Sequence, residues 1–426
     1  MQSLARRQGM NEQASDLRTD VVVVGGGLAG LTAARLLQRA GARTVLVEPH
    51  GGGGRGATDM RNGFLFNRGP HALYLGGPAR RVLDQLGIAL IGGPPGGPAA
   101  GLLGDVVGVL PAGAGSLART PLLGWKGKVA FGRLFARLPK LATDQLGAVT
   151  FGDWLDQHEL PDDARTMVAA IARLSTYANA SHLVSADMVV SQIQLAVAGG
   201  VRYIDGGWQT IADQLADGVD VLAANASAVH RDGSDVVVET DAGSRVIATA
   251  AVLAVGTPAA SAALLGRPPF DVGPPIEAAC LDLGVDQPSS PRLLLGIDRP
   301  LYLSHHDPPA RLASTGRAVV HVAKYLEPGD TTTPSEQRSE LTAHAAAAGL
   351  SADRVLEQRY LHRMTVVGAL ATAELGGLPG RPPVTDPSMP RVFLAGDWVG
   401  PRGHLVDASL ASAHDAAIAA ATLLGR

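Results

Sequence analysis

Residues 21–24 are four consecutive valines, and they run directly into Gly25-Gly26-Gly27-Leu28-Ala29-Gly30. An unbroken β-branched run suits a strand covered on both faces, as in parallel sheets with helices above and below. The stretch 31–37 then reads as a helix, and Thr44-Val45-Leu46-Val47 as a second strand that ends in Glu48. Strand, glycine turn, helix, strand and acid in this order form the βαβ dinucleotide-binding fingerprint. Gly25 allows the tight turn, Gly27 lets backbone approach a pyrophosphate, and Gly30 lets helix and strand pack closely. Leu28 and Ala29 open the helix, whose first N–H groups and positive dipole end face the phosphates. Glu48 stands where an acid accepts hydrogen bonds from ribose hydroxyls.

Beyond Glu48 come Gly51-Gly52-Gly53-Gly54-Arg55, then Thr58, then Gly63-Phe64-Leu65-Phe66-Asn67-Arg68-Gly69-Pro70-His71. Near the C-terminus lies Arg391-Val392-Phe393-Leu394-Ala395-Gly396-Asp397-Trp398, followed by an alanine-rich helical stretch over 408–420. Together these resemble the FAD-dependent superfamily of flavin amine oxidases, protoporphyrinogen oxidases and phytoene desaturases. The resemblance implies non-covalent FAD, with Gly54 and Arg55 near the pyrophosphate and flavin edge. It places Gly396 and Asp397 by the ribityl and phosphate region, and Val229 against the adenine. Trp398 would flank the flavin ring. Tyr203-Ile204-Asp205-Gly206-Gly207-Trp208-Gln209 also resembles the superfamily, where its chain returns from the substrate domain.

At 426 residues the chain suits two domains rather than one core. A formal charge of −3 gives no reason to expect nucleic acid as a partner. Cys280 is the only cysteine, which excludes an internal disulfide and a cysteine-based zinc site. His305-His306-Asp307 reads as a polar loop, and no metal site is expected. Residues 1–18 carry charges but no apolar run, so they read as a disordered tail rather than a secretory signal. The apolar stretch 246–266 reads as a buried strand plus helix, not a membrane span. The expected location is the cytoplasm.

The expected fold is α/β: a discontinuous, Rossmann-like FAD-binding domain over 19–75, 203–272 and 385–426, and a mixed α+β substrate domain over 76–202 and 273–384. Residues 76–200 read mostly helical, with helices over 78–86, 126–141, 151–159, 161–175 and 186–198. Further along, strands are expected near 219–229, 235–240, 246–255, 292–297 and 318–325, and helices over 210–215 and 334–348.

The resemblance implies FAD-dependent dehydrogenation or desaturation of a largely apolar small molecule. The alternatives are flavin amine oxidation, a redox-neutral flavin isomerase, and a non-catalytic flavin-fold binding protein. Amine oxidases place a tyrosine in the aromatic wall after the terminal Ala-Gly-Asp, and here Trp398 and His404 stand without one. Lys324, His404 and Tyr203 are candidate catalytic groups, with Tyr177, Tyr325 and His362 also facing the expected substrate side. One segment is amphipathic and basic: Phe131, Leu134, Phe135 and Leu138 share a helical face opposite Arg133, Arg137 and Lys140. It reads as the cover of a core, with a membrane-surface port for a lipophilic substrate as the alternative.

Overall fold

The computed structural model describes residues 16–426. The tail expected over 1–15 lies outside the described residues. Asp16, Leu17 and Arg18 are not tail: they open the first strand, Asp16–Val24, and lie in parallel register opposite Arg245, Val246 and Ile247. Backbone pairing to a neighbouring strand, which the polar sequence did not advertise, fixes them there.

That strand sits centrally in a seven-stranded sheet. The order is Asp220–Leu222, Thr44–Val47, Asp16–Val24, Arg245–Leu253, Asp235–Thr240 and Ala226–Asp232. The first four are parallel, and the last two form an antiparallel meander on the far edge. Val392–Leu394 adds in parallel to the end of Arg245–Leu253. The four valines divide by alternation between two cores. Val21 and Val23 pack toward helices Leu28–Arg39, Pro78–Gln85, Gln209–Ala216 and Val406–Leu423, while Val22 and Val24 face the opposite layer with Val236, Val246 and Leu394. The last helix buries Ala413, Ala416, Ala417 and Ala420, small side chains that let it lie close to Leu28–Arg39.

A second seven-stranded sheet runs Val355–Val367, Ile276–Val285, Ala318–Tyr325, Leu301–His305, Leu293–Gly296, Ala99–Leu103 and Val106–Val109. One face carries Cys280, Leu295, Ala323 and Tyr325 against helices Trp125–Arg137, Asp162–Thr176 and Ala186–Gly199. The other carries Leu281, Leu303 and Val322 against helix Pro334–Ala347. That helix starts with a capping box, Thr333 and Glu336 each bonding the other's backbone N–H.

Two parts of this sheet depart from the expected pattern. Ala99–Leu103 and Val106–Val109 form a hairpin inside a stretch expected to be helical, because Gly104 supplies a positive φ of 56° at the turn. Strands Ile276–Val285, Leu301–His305 and Val355–Val367 also escape the sequence pattern. Val355–Val367 alternates poorly, since its 13 residues mix charged and apolar side chains along one edge.

Candidate active site

Between the two sheets lies one cavity of about 1520 Å³. Its first end is built by the glycine turn. Gly25 holds φ at +101°, and a Cβ on Gly30 would lie 1.8 Å from the Gly25 carbonyl oxygen, so helix and strand touch backbone to backbone. A Cβ on Gly27 would meet nothing within 4 Å. Gly27 therefore stays bare toward open space, whereas Gly30 stays bare against the protein. Helix Leu28–Arg39 begins with no side-chain cap, leaving its first N–H groups for a ligand. The Glu48 carboxylate accepts from Gly26 N at 2.6 Å and from His50 N at 2.8 Å, which fixes it beside the turn.

Arg55 and Asp397 meet across 342 residues of sequence at 2.5 Å. Arg55 also donates to the Val366 carbonyl at 2.9 Å, and Asp397 accepts from Gly368 N at 3.1 Å. Beneath them Arg381 is buried, bonding the carbonyls of Asp397 and Gly403 at 3.0 and 2.8 Å. Burial lowers Arg381 to about 10, against the opposing pull of Asp397 and Asp187. Gly396 is pinned by Ser412, whose hydroxyl bonds both its N–H and its carbonyl at 2.9 Å.

The second end is aromatic and apolar: Tyr74, Tyr177, Tyr302, Leu361 and Met364 line it, with His71 and Trp208 between the two ends. Burial pushes Tyr74 up to about 12, and Tyr177 and Tyr302 well above the usual phenol range, so none is a base at neutral pH. Tyr177 donates to the Pro70 carbonyl at 3.1 Å and Tyr302 to Ser304 at 2.5 Å. His71 is held down to about 4 by burial; its Nδ1 lies 2.9 Å from the Gly69 carbonyl, which assigns the proton there and a lone pair to Nε2. The Nε1 of Trp208 is buried without a hydrogen-bond partner among the described residues.

Under this end sits a buried ionic network. Asp282 takes His321 Nδ1 at 2.5 Å and Cys280 Sγ at 3.0 Å on one oxygen, and Arg359 twice, at 2.9 and 2.6 Å, on the other. Burial would raise Asp282, but His321 and Arg359 hold it below the ordinary carboxylate value. Cys280, Asp282 and His321 offer three donor types within 4.8 Å. Both Asp282 oxygens are already committed, and burial raises the thiol well above its usual range, away from the thiolate a metal needs.

Of the residues expected from sequence, Gly25, Gly27, Leu28, Ala29, Glu48, Gly54, Arg55, Gly396, Asp397, Tyr177 and Tyr203 line this cavity, and Gly30 lies directly behind its wall. Others do not. Val229 is a core side chain, packed with Val236 and Val246 on the sheet's meander. Trp398 is fully buried against Phe270, 5.1 Å between rings, and flanks nothing in the cavity. His404 is enclosed, bonded to the Thr176 carbonyl at 2.8 Å and lowered to about 4 by burial. Lys324 points the wrong way: alternation along Ala318–Tyr325 sends Ala323 and Tyr325 toward the helical layer, and turns Lys324 to Glu340 at 2.8 Å. Tyr325 and His362 are likewise outside the lining, His362 bonding Gln337 at 3.0 Å. The amphipathic helix buries Phe131 and Leu134, with Leu138 in the turn that follows it, and none of its side chains is among the residues lining the cavity.

Over residues 28–421 the chain matches the family of flavin containing amine oxidoreductases. The chain belongs to that family. It is an FAD-dependent oxidoreductase, and the bare glycine turn, uncapped helix and fixed carboxylate fit that cofactor. The fold is also that of a putrescine oxidase double mutant, at TM-score 0.75 and 18% identity, covering 96% of this chain and 100% of that one. Among curated proteins, a thiamine thiazole synthase of Aeropyrum pernix is 44% identical over 70 residues, 16% of this chain. A coproporphyrinogen III oxidase of Propionibacterium freudenreichii subsp. freudenreichii is 35% identical over 124 residues, 26% of this chain. The match spans about a quarter of each of these two relatives, 24% in both cases. No helix among the described residues is long and apolar enough to cross a membrane.

Proposed function

We propose that the chain holds FAD non-covalently along Gly25, Gly27, Leu28, Ala29, Glu48, Gly54, Arg55, Gly396 and Asp397, and dehydrogenates a largely apolar small molecule. The observation that carries this reading is continuity: the glycine turn and the Tyr177, Tyr302, Leu361 and Met364 wall line one and the same cavity. When bound, FAD accepts a hydride from a substrate carbon. The chain's own part is to orient that carbon and keep water away. The wall supplies apolar burial, worth roughly 25 cal/mol per Å², and the neutral tyrosines fix shape rather than transfer protons. His71 is the one histidine among the described lining residues, and its neutral Nε2 can accept a hydrogen bond from the substrate.

Desaturation of a polyene or porphyrinogen type is favoured over amine oxidation. Among the described residues no lysine lines the cavity, and Asp59, the single carboxylate among them away from the glycine end, is bonded to Arg359 at 2.7 Å. A substrate ammonium would find no free acid. The likeness to putrescine oxidase supports the architecture and says nothing of its ligand. The test is anaerobic bleaching of the flavin by a panel of polyenes, porphyrinogens and amines. Bleaching by an unsaturated apolar compound is expected; bleaching by amines alone would overturn the proposal.

A further inference from the structure

Away from the glycine turn, the cavity is lined by four guanidiniums, Arg61, Arg68, Arg338 and Arg359, against one carboxylate, Asp59. Arg359 is spent internally, clamped by Asp282 and Asp59. The other three are different. Among the described residues, none of Arg61, Arg68 and Arg338 makes an ion pair or a side-chain hydrogen bond, although arginines elsewhere, such as Arg80, Arg311, Arg354, Arg363 and Arg402, find carboxylates. Arg338 rests its guanidinium 5.9 Å from the Tyr360 ring, with its donors left over. Three unpaired cations around one cavity form a field that attracts anions and repels ammonium groups. The planar donor fork of arginine suits a carboxylate in two-point contact.

We infer that the substrate is an amphiphile whose apolar body fills the tyrosine-lined chamber and whose carboxylate is taken by Arg61, Arg68 and Arg338. The inference rests on the reading of that chamber as the substrate site and adds its chemical class. Asp59 does not cancel the field, because its charge is used by Arg359. Glu48 and Asp397 lie at the glycine end and carry their own partners. Arg359 serves as a fixed wall: its place in the buried network makes it unsuitable for substitution.

The test uses the FAD-loaded protein and three probes with one apolar body: pyrenebutyrate, pyrenebutanol and pyrenebutylammonium. Binding is read from pyrene quenching and from perturbation of the flavin absorbance. Pyrenebutyrate should bind about tenfold or more tighter than the alcohol, the range of a charged hydrogen bond, and the ammonium should bind weakest. In the triple variant Arg61→Gln, Arg68→Gln, Arg338→Gln, all exposed positions, the three probes should converge while flavin occupancy stays that of the parent. Equal binding of acid and alcohol in the parent, or an acid preference that survives the triple variant, overturns the carboxylate inference and leaves the apolar chamber standing. Failure of all three probes to perturb the flavin overturns the chamber reading, and this inference with it.

Discussion

The two ends of the cavity are made by opposite means. At the glycine end, shape comes from side chains that are missing: Gly30 is bare because the Gly25 carbonyl occupies its space, and Gly27 is bare toward open space. At the tyrosine end, shape comes from large side chains drawn from distant segments, such as Tyr74, Tyr177 and Tyr302. At Gly25 and Gly30 the glycine end therefore has no room for an added carbon, whereas Gly27 opens onto the cavity. The tyrosine end can change its guest by exchanging walls without disturbing the sheets. A family can keep one end and vary the other.

The largest expected effect breaks the glycine end in two distinguishable ways. Gly30→Ala drives a methyl into backbone, and should cost about 3 kcal/mol or more, seen as loss of soluble, folded protein. Gly27→Ala should leave the melting temperature of the FAD-free protein unchanged while abolishing yellow colour. If both variants fold and bind FAD like the parent, the turn is not the cofactor seat.

Acid should separate the ends next. His71, His305 and His404 are each depressed to about 4 by burial, and none belongs to the sheet that carries the glycine turn. Between about 6.5 and 4 the unfolded chain binds protons that the folded chain refuses, so stability is complete above 6.5 and falls as pH drops toward 4. Each such histidine contributes on the order of 3 kcal/mol. Asp407, raised to about 6 by burial, works in the opposite direction between 3.8 and 6, as does Asp307, also raised by burial, but His306 and His344, likewise lowered by burial, add to the three histidines. The melting temperature should fall steeply from pH 7 to pH 4.5. His404→Asn should flatten that slope; an unchanged slope would show that His404 is solvated.

Glu48→Ala should weaken FAD binding by about 1.5–3 kcal/mol, the worth of a hydrogen bond to a charged acceptor. The measurement is flavin content after dialysis at fixed protein concentration, and full retention would argue against Glu48 as the ribose acceptor. The smallest effect concerns the basic helix. Reversing Arg133, Arg137 and Lys140 together, all exposed, should change stability by less than about 1 kcal/mol and leave flavin content alone. Reduced binding to anionic vesicles would show that this helix makes a membrane-surface contact.

How readable each end was in the sequence follows from how it is made. Glycine needs are local, so spacing among Gly25, Gly27, Gly30 and Glu48 displays them in one window. Arg55 and Asp397 were also readable, each sitting in its own short motif although the pair closes only in the fold. The tyrosine end carries no such window. Arg61 and Arg338 line one cavity only in the fold, one from the ribbon Thr58–Arg61 with Phe64–Asn67 and the other from helix Pro334–Ala347. Lys324 was misdirected for a related reason: a strand's alternation shows that neighbours part, not which of them faces the ligand. Trp398, next to Asp397 in sequence, turns into the core against Phe270 while Asp397 lines the cavity. Val229 turns its side chain into the core and stands outside the cavity lining. His71, quoted inside a motif, gave no sign that its fellow wall would be Trp208, whose ring lies 4.9 Å away.

Cys280 gives the molecule a clock. It is the chain's sole thiol, wholly enclosed near the middle of the second sheet and raised well above its usual range by burial. A thiol reagent can reach it only when that sheet opens, so labelling rate at fixed pH measures the frequency of opening at one known place. Because no second thiol adds signal, mass spectrometry of a single modified peptide would time the tyrosine end, with the glycine end silent.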